Sequence, residues 1–278
     1  MLTRFLLSIW VIAFGMDATQ ANLALRALRE FWFEAGLDPM EVRANLALRP
    51  PPSLATKRSK AQPPSPLETA RALAKGANDL AALRLALESF DGCALRAAAR
   101  STVFLDGPET APILLIGERP NKSDDAEGRP MTGQAGRLLD AMLAAIGLNR
   151  SQNVLMANLV FWRPPGDRAP TATEIALCLP FLERAIALLR PKLLILCGEV
   201  PAQALLGSEE SLPRLRRRMQ RVVRPDGGGE KDGGIDALVT LSPLYLLARP
   251  QDKRLAWRDL QLLEPRLESL GIARSGPG

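Results

Sequence analysis

Ile116-Gly117-Glu118-Arg119-Pro120-Asn121-Lys122-Ser123-Asp124-Asp125-Ala126-Glu127-Gly128-Arg129-Pro130-Met131-Thr132-Gly133-Gln134-Ala135-Gly136-Arg137-Leu138-Leu139-Asp140 is the stretch whose reading decides the fold. It follows the short apolar run Pro112-Ile-Leu-Leu-Ile116, which reads as a buried strand. It leads into Gly133 to Ile146, a helix with Leu138, Leu139, Met142 and Leu143 on its inward face. The connection carries four glycines, two prolines and five acids between Gly117 and Asp140. Glycines let a backbone approach a ligand closely, and the start of the next helix offers free N–H donors. There is no Walker-type Gly-Lys-Ser/Thr, so the residues alone define a phosphate or base site without choosing between them.

Working outward, the pattern repeats. Asn153 to Asn158, Lys192 to Cys197 and Asp236 to Leu241 read as further strands of continuous apolar character. Helices are expected at 67–88, at 171–189 with a Thr171…Glu174 capping box, at 200–206 and at 251–269. Apolar strands alternating with helices predict a three-layer α/β/α sandwich around a central four-stranded parallel sheet. Ligand sites in such sheets lie beyond the carboxyl ends of the strands. Upstream, 17–36 reads as an amphipathic helix and Pro50 to Pro66 as a polar, Pro-rich linker. The expected organisation is an N-terminal segment (1–49), a linker (50–66) and one domain (67–273). Pro213 to Arg224 holds six arginines in twelve residues, which suits either a DNA backbone or a solvated helix face.

Composition narrows the function classes. The chain has 278 residues and a net charge of +6, a balance that suits a polyanionic partner or simply an Arg-rich composition. It contains no histidine, which excludes Ser–His triads, imidazole acid–base chemistry and histidine metal sites. Three distant cysteines (Cys93, Cys178 and Cys197) do not form a disulfide framework and fit a reducing compartment. The apolar run from Phe5 to Gly15 is too short to span a membrane. It reads either as a signal-peptide core or as sequence upstream of a true start at Met16. The expected cytoplasmic location depends on the second reading.

The motifs, in order, resemble those of the uracil-DNA glycosylase superfamily, and most closely its iron–sulfur branch, family 4. The first matches at Gly117, Glu118, Pro120, Asp124, Asp125, Gly128, Arg129, Pro130, Gly133, Gly136, Leu138 and Leu139. The others are Asn158…Arg163-Pro164-Pro165-Gly166-Asp167-Arg168, Cys178-Leu-Pro-Phe-Leu, Leu194-Ile-Leu-Cys-Gly198, and Ser242-Pro243-Leu-Tyr245-Leu-Leu with Lys253, Arg254 and Trp257 beyond. The resemblance spans about Phe90 to Leu263.

It implies hydrolysis of the N-glycosidic bond of uracil, or of a related deaminated base, in single- or double-stranded DNA, by a monomer with no membrane association. Glu118, Arg119 and Asp125 become candidates for the chemistry. Gly117, Asn121, Met131, Asn158 and Ser242 become candidates for holding the base, and Arg163, Arg168, Arg217, Lys253 and Arg254 for holding DNA. The Asn158 amide offers the donor and acceptor that an imide edge requires.

The departures matter as much. Arg119 replaces a small residue, Asn121 a glycine, Met131 the phenylalanine that stacks on uracil, and Ser242 a histidine. Of the four thiolates expected to hold a [4Fe–4S] cluster, Cys93 and Cys178 remain, while Phe90 and Trp162 stand at the other two positions, so no cofactor or metal is expected. The competing readings are a catalytically degenerate DNA-binding relative and an unrelated nucleotide-binding α/β protein.

Overall fold

The computed structural model describes residues 64–225 and 234–274, together with Arg26 and Glu30, both helical. The rest of the expected N-terminal helix, the apolar leader and most of the linker lie outside the described residues. The chain divides into two units, Met1–Pro63 and Pro64–Gly278, and all that follows concerns the second.

Four strands form the centre of the sheet: β2 (Ile113–Gly117), β3 (Val154–Asn158), β4 (Leu193–Cys197) and β6 (Ile235–Thr240). Every residue in them is buried, which is why each reads as a continuous apolar run rather than an alternating one. They pair in parallel in the order β3-β2-β4-β6. Two short antiparallel edges, β1 (Leu105–Asp106) and β5 (Gln220–Val222), extend the sheet to six strands in the order β1-β3-β2-β4-β6-β5. The sequence reading missed both edges. Segments of two and three residues carry no readable period.

Successive strand side chains point to opposite faces and define two cores. Leu114, Ile116, Leu155, Ala157, Leu194, Leu196, Ala237 and Val239 pack with α1 (Pro66–Gly76), α2 (Leu80–Ser89) and α6 (Ala172–Leu189). Ile113, Leu115, Val154, Met156, Leu193, Ile195 and Leu238 pack against α5 (Gly133–Ala144), α10 (Lys253–Gln261) and α11 (Glu264–Ser269). Helices on both faces make the three-layer sandwich.

Two expected long helices are broken. The one at 67–88 splits into α1 and α2, because the chain turns extended at Ala77 and Asp79 caps the second helix by accepting from Ala82 N–H. The one at 251–269 splits into a short 3₁₀ turn, α10 and α11, with Pro265 opening the last helix, where a missing N–H costs nothing. The Thr171 capping box is formed. Its Glu174 carboxylate also accepts two bonds from Arg168 at 2.6 and 2.8 Å, and this pairing holds its pKa down at about 2. The remaining helices are α3 (Ala94–Ala98), α4 (Lys122–Glu127), α7 (Glu199–Leu206), α8 (Leu212–Leu215) and α9 (Pro243–Ala248).

Candidate active site

The register of the sheet assembles the site. Gly117 pairs with Asn158 at the carboxyl ends of β2 and β3. The pairing continues past both strands, with Leu159 N–H donating to Gly117 O at 2.8 Å and Val160 N–H to Glu118 O at 3.2 Å. The first two motifs are thereby zipped together. α9, entered directly from β6, supplies the opposite wall. Between them lies a cavity of ≈230 Å³, whose wall includes Gly117, Glu118, Asn121, Met131, Ser242 and Tyr245. That is smaller than a typical drug-sized pocket and of a scale that suits one heterocycle.

Each proposed residue has a definite place. Glu118 lines the cavity, and burial raises its pKa above the ordinary 4.5, opposed by the Arg119 guanidinium, whose Nε is 4.0 Å from Oε1. Arg119 also lines the cavity, but its guanidinium turns to the Pro164–Arg168 loop. Nη2 donates to Asp167 O at 2.6 Å, and Nη1 lies 3.6 Å from the Asp167 carboxylate. It straps the two motif loops together. Asn121 caps α4, its Oδ1 accepting from Ser123 and Asp124 N–H. Ser242 stands at the N-terminus of α9 with no capping bond, on the cavity wall.

Asp125 is placed differently from the expectation. Its carboxylate accepts from Arg100 N–H at 2.8 Å and Ser101 N–H at 3.0 Å and does not line the cavity. Its neighbour Asp124, which the sequence reading did not single out as a site residue, does line it. Asp124 Oδ1 accepts from Thr132 N–H and Oγ1–H at 2.7 and 2.8 Å, and Oδ2 from Asn121 N–H at 3.1 Å. One helix sends adjacent carboxylates in different directions, which spacing alone does not reveal.

Asn158 and Met131 form the unusual pair. Asn158 is fully buried, and neither amide atom has a hydrogen-bond partner among the described residues. Leaving such a group unpaired costs about 1–3 kcal/mol. Met131 is held at φ 58°, a left-handed conformation uncommon for a side chain of this size. Three neighbours fix it there: Arg150 Nη2 donates to its carbonyl at 2.8 Å, Asp124 anchors the next residue, and Gly136 lies so close to that carbonyl that a Cβ would collide with it. Strain and unpaired buried polarity at one place point to function rather than to stability.

The proposed DNA cations separate into two groups. Arg163 makes a bidentate pair with Asp167 at 2.7 and 3.0 Å, and Arg168 is committed to Glu174. Arg217, Lys253 and Arg254 are exposed and have no ion-pair partner among the described residues, as is also true of Arg258. Of the arginine run, Arg216 is structural: it forks onto buried Asp259 at 2.8 and 3.0 Å. Half-exposed Trp257 sits among the α10 cations. Leu244 and Tyr245 are partly exposed at the cavity mouth.

The residues at the four expected cluster positions do not fit a four-thiolate cluster. Cys93 and Cys178 are free and buried, and the neighbouring Cys93 thiol together with burial pushes the Cys178 thiol well above its usual range. Phe90 packs on Phe181 at 5.5 Å between ring centroids, and Trp162 edge-on to Phe161 at 6.3 Å, with its Nε1–H donating to Thr102 Oγ1 at 3.0 Å. Among the described residues no group of three or more Cys, Asp or Glu side chains is placed to hold a metal. Cys197 is a core residue whose burial raises its pKa to about 12.

A doubly wound, mostly parallel sheet with a small cavity beyond its carboxyl ends, walled by Glu118 and backed by a buried amide, defines an α/β protein with a cavity of about the size of one small ring. The family model of the uracil DNA glycosylase superfamily matches residues 104–261. The chain is similar to the type-4 uracil-DNA glycosylase of Pyrobaculum aerophilum, 31% identical over 173 residues (62% of this chain, 86% of the relative). It is also similar to those of Archaeoglobus fulgidus, 33% over 146 residues (52% and 71%), and Thermotoga maritima, 29% over 174 residues (61% and 84%). The chain belongs to the uracil-DNA glycosylase superfamily, in its type-4 branch. Among the described residues no helix is long and apolar enough to cross a membrane.

Proposed function

We propose that this protein is a DNA-repair glycosylase that hydrolyses the N-glycosidic bond of uracil, or of a related deaminated base, and that it does so as a cytoplasmic monomer without an iron–sulfur cluster. The observation that carries this reading is the buried, unpartnered Asn158 amide beside a cavity that also presents Glu118. A side-chain amide matches the adjacent donor and acceptor of an imide edge. Its own desolvation penalty is offset when such an edge arrives.

The chemistry follows from charge. As the bond breaks, its electron pair leaves with the base and the sugar carbon turns positive. The Glu118 carboxylate stabilises that carbon and takes a proton from the attacking water. The backbone N–H groups of Glu118 and Arg119 and the Ser242 hydroxyl remain to face the departing anion. Arg119, bound to the Asp167 loop, sets the position of Glu118 and lowers the cost of ionising it, and is a positioning residue. Asp125 holds the 100–101 turn through two backbone N–H bonds. The competing reading, a DNA-binding relative without the chemistry, is favoured by one observation, the serine at the histidine position.

Incubation with single-stranded DNA containing one uracil tests the proposal. An abasic site is the expected product, and binding with no abasic product would select the competing reading.

DNA is held by the unpaired cations. Lys253 and Arg254 open α10 just beyond the cavity wall, and Trp257 and Arg258 lie one turn on. Trp257 offers a stacking face and the cations contact phosphates. Replacing Lys253, Arg254 and Arg258 together by alanine is expected to reduce the slope of log K against log salt by about 2–3. The same change at Arg163 and Arg168, already paired, is expected to alter the slope by less than about one. Equal slope changes in the two variants would contradict this division of roles.

A further inference from the structure

We infer that Met131 is a gate on the base seat: in the ligand-free protein its methyl group occupies the space against Gly117 and Asn158, and the Asn158 amide is reached only when Met131 withdraws. The inference rests on the reading of the cavity given above and names the residue that decides what enters it.

Gly117 and Asn158 face each other in register across β2 and β3. A Cβ placed on Gly117 would lie 2.6 Å from Asn158 Oδ1 and would collide with the Met131 methyl carbon. The methyl group and the amide oxygen therefore crowd one small space. Met131 forms part of the cavity wall and Asn158 does not. Asn158 is fully buried with both amide atoms unpaired. A buried amide next to a methyl group, rather than a polar partner, is matched to a polar ligand.

The backbone of Met131 does not move easily. Its carbonyl is bound by Arg150, and its left-handed φ is enforced by the neighbours that pack on it. The side chain is unbranched, with three rotatable bonds and a soft sulfur, and can swing without the backbone. A fixed backbone carrying a flexible side chain is a hinge of one residue. The ligand that opens it is a planar heterocycle with adjacent N–H and C=O groups, which replaces the methyl contact with two hydrogen bonds to Asn158.

A gate and a stacking platform make opposite predictions. If Met131 is a gate, shortening it removes the closed state, and apparent affinity rises by the reciprocal of the open fraction. Met131→Ala is then expected to bind free uracil tighter and to lower KM for uracil-containing DNA, roughly 3- to 10-fold, with a smaller change in kcat. If Met131 is a platform, both become weaker. Met131→Gly, which suits the left-handed φ, keeps the comparison open should the alanine variant be unstable.

Methyl-labelled methionine gives a readout independent of activity. A nuclear Overhauser contact between the Met131 methyl and the Asn158 side-chain N–H is expected in the free protein and is expected to vanish on adding uracil. Absence of that contact in the free protein, or weaker uracil binding by Met131→Ala in a protein that excises uracil, overturns the gate and leaves the glycosylase reading standing. A wild type inert toward DNA whose Met131→Ala variant binds uracil upholds the gate and overturns the catalytic reading. If neither protein binds uracil, both fall.

Discussion

Glu118→Gln is expected to lower the rate of base excision by roughly 10²–10⁴-fold, the range typical for removing a positioned general base. At about 1.4 kcal/mol per decade this corresponds to about 3–5 kcal/mol of barrier. The substitution keeps shape and hydrogen bonding but removes the charge that faces the sugar. The pH dependence provides a second signature. Glu118 acts as its carboxylate, and burial raises its pKa above 4.5. The fraction in the active form grows as pH rises through that raised value. The acid limb of kcat/KM is therefore expected above pH 4.5 and absent from the residual rate of the variant. A residual rate that keeps the same limb would assign it to another group, with Asp124 the first candidate, since burial raises its pKa as well.

Trp162→Ala is expected to destabilise the fold by about 3–5 kcal/mol, because a large buried ring is removed from a packed core. Trp162 is almost wholly buried, meets Phe161 edge-on and donates to Thr102, so the loss includes a hydrogen bond as well as a cavity. For a domain of this size the melting temperature is expected to fall by roughly 10 °C. The same ring stands at one of the four thiolate positions of the family's cluster. Protein purified without oxygen is therefore expected to carry no stoichiometric iron. About four irons per chain, with absorbance near 400 nm, would contradict the packing argument. A stable, iron-free Trp162→Ala variant would mean that the ring contributes little to the core.

The sequence carried the centre of the fold because four strands are buried on both faces and announce themselves without their neighbours. It did not carry the edges. β1 is held by β3, which is distant in the chain, and β5 by the strand that follows it, and two or three residues have no period of their own. Helix breaks at Ala77 and ahead of Pro265 were readable only in part, since a helix survives or ends according to what it packs against.

At the site, residue types were legible and directions were not. Ordered motifs brought Gly117, Glu118, Arg119, Asn121, Met131 and Ser242 to the wall of one cavity. That Asp124 faces it and Asp125 does not depends on which way one turn of α4 presents each carboxylate. Whether Arg119 reached base, sugar or neither was a matter of geometry, and its guanidinium is taken by Asp167. Arg163 and Arg168 read as free cations because their partners, Asp167 and Glu174, are found only by following a loop in space. The contact of Met131 with Gly117 and Asn158 leaves no trace in sequence, since it depends on one left-handed residue.

The central claim is that the cavity beside Glu118 seats a base read by Asn158. Chromatographic detection of free base tests it most directly, with wild type and Asn158→Ala compared under single-turnover conditions on single-stranded DNA containing uracil, hypoxanthine or xanthine. Wild type is expected to release free uracil, and Asn158→Ala to release it roughly 10²-fold more slowly while binding DNA equally well, a loss equal to about 2.7 kcal/mol of discrimination. Equal rates from the two proteins, or no free base from wild type on any of the three substrates, would contradict it.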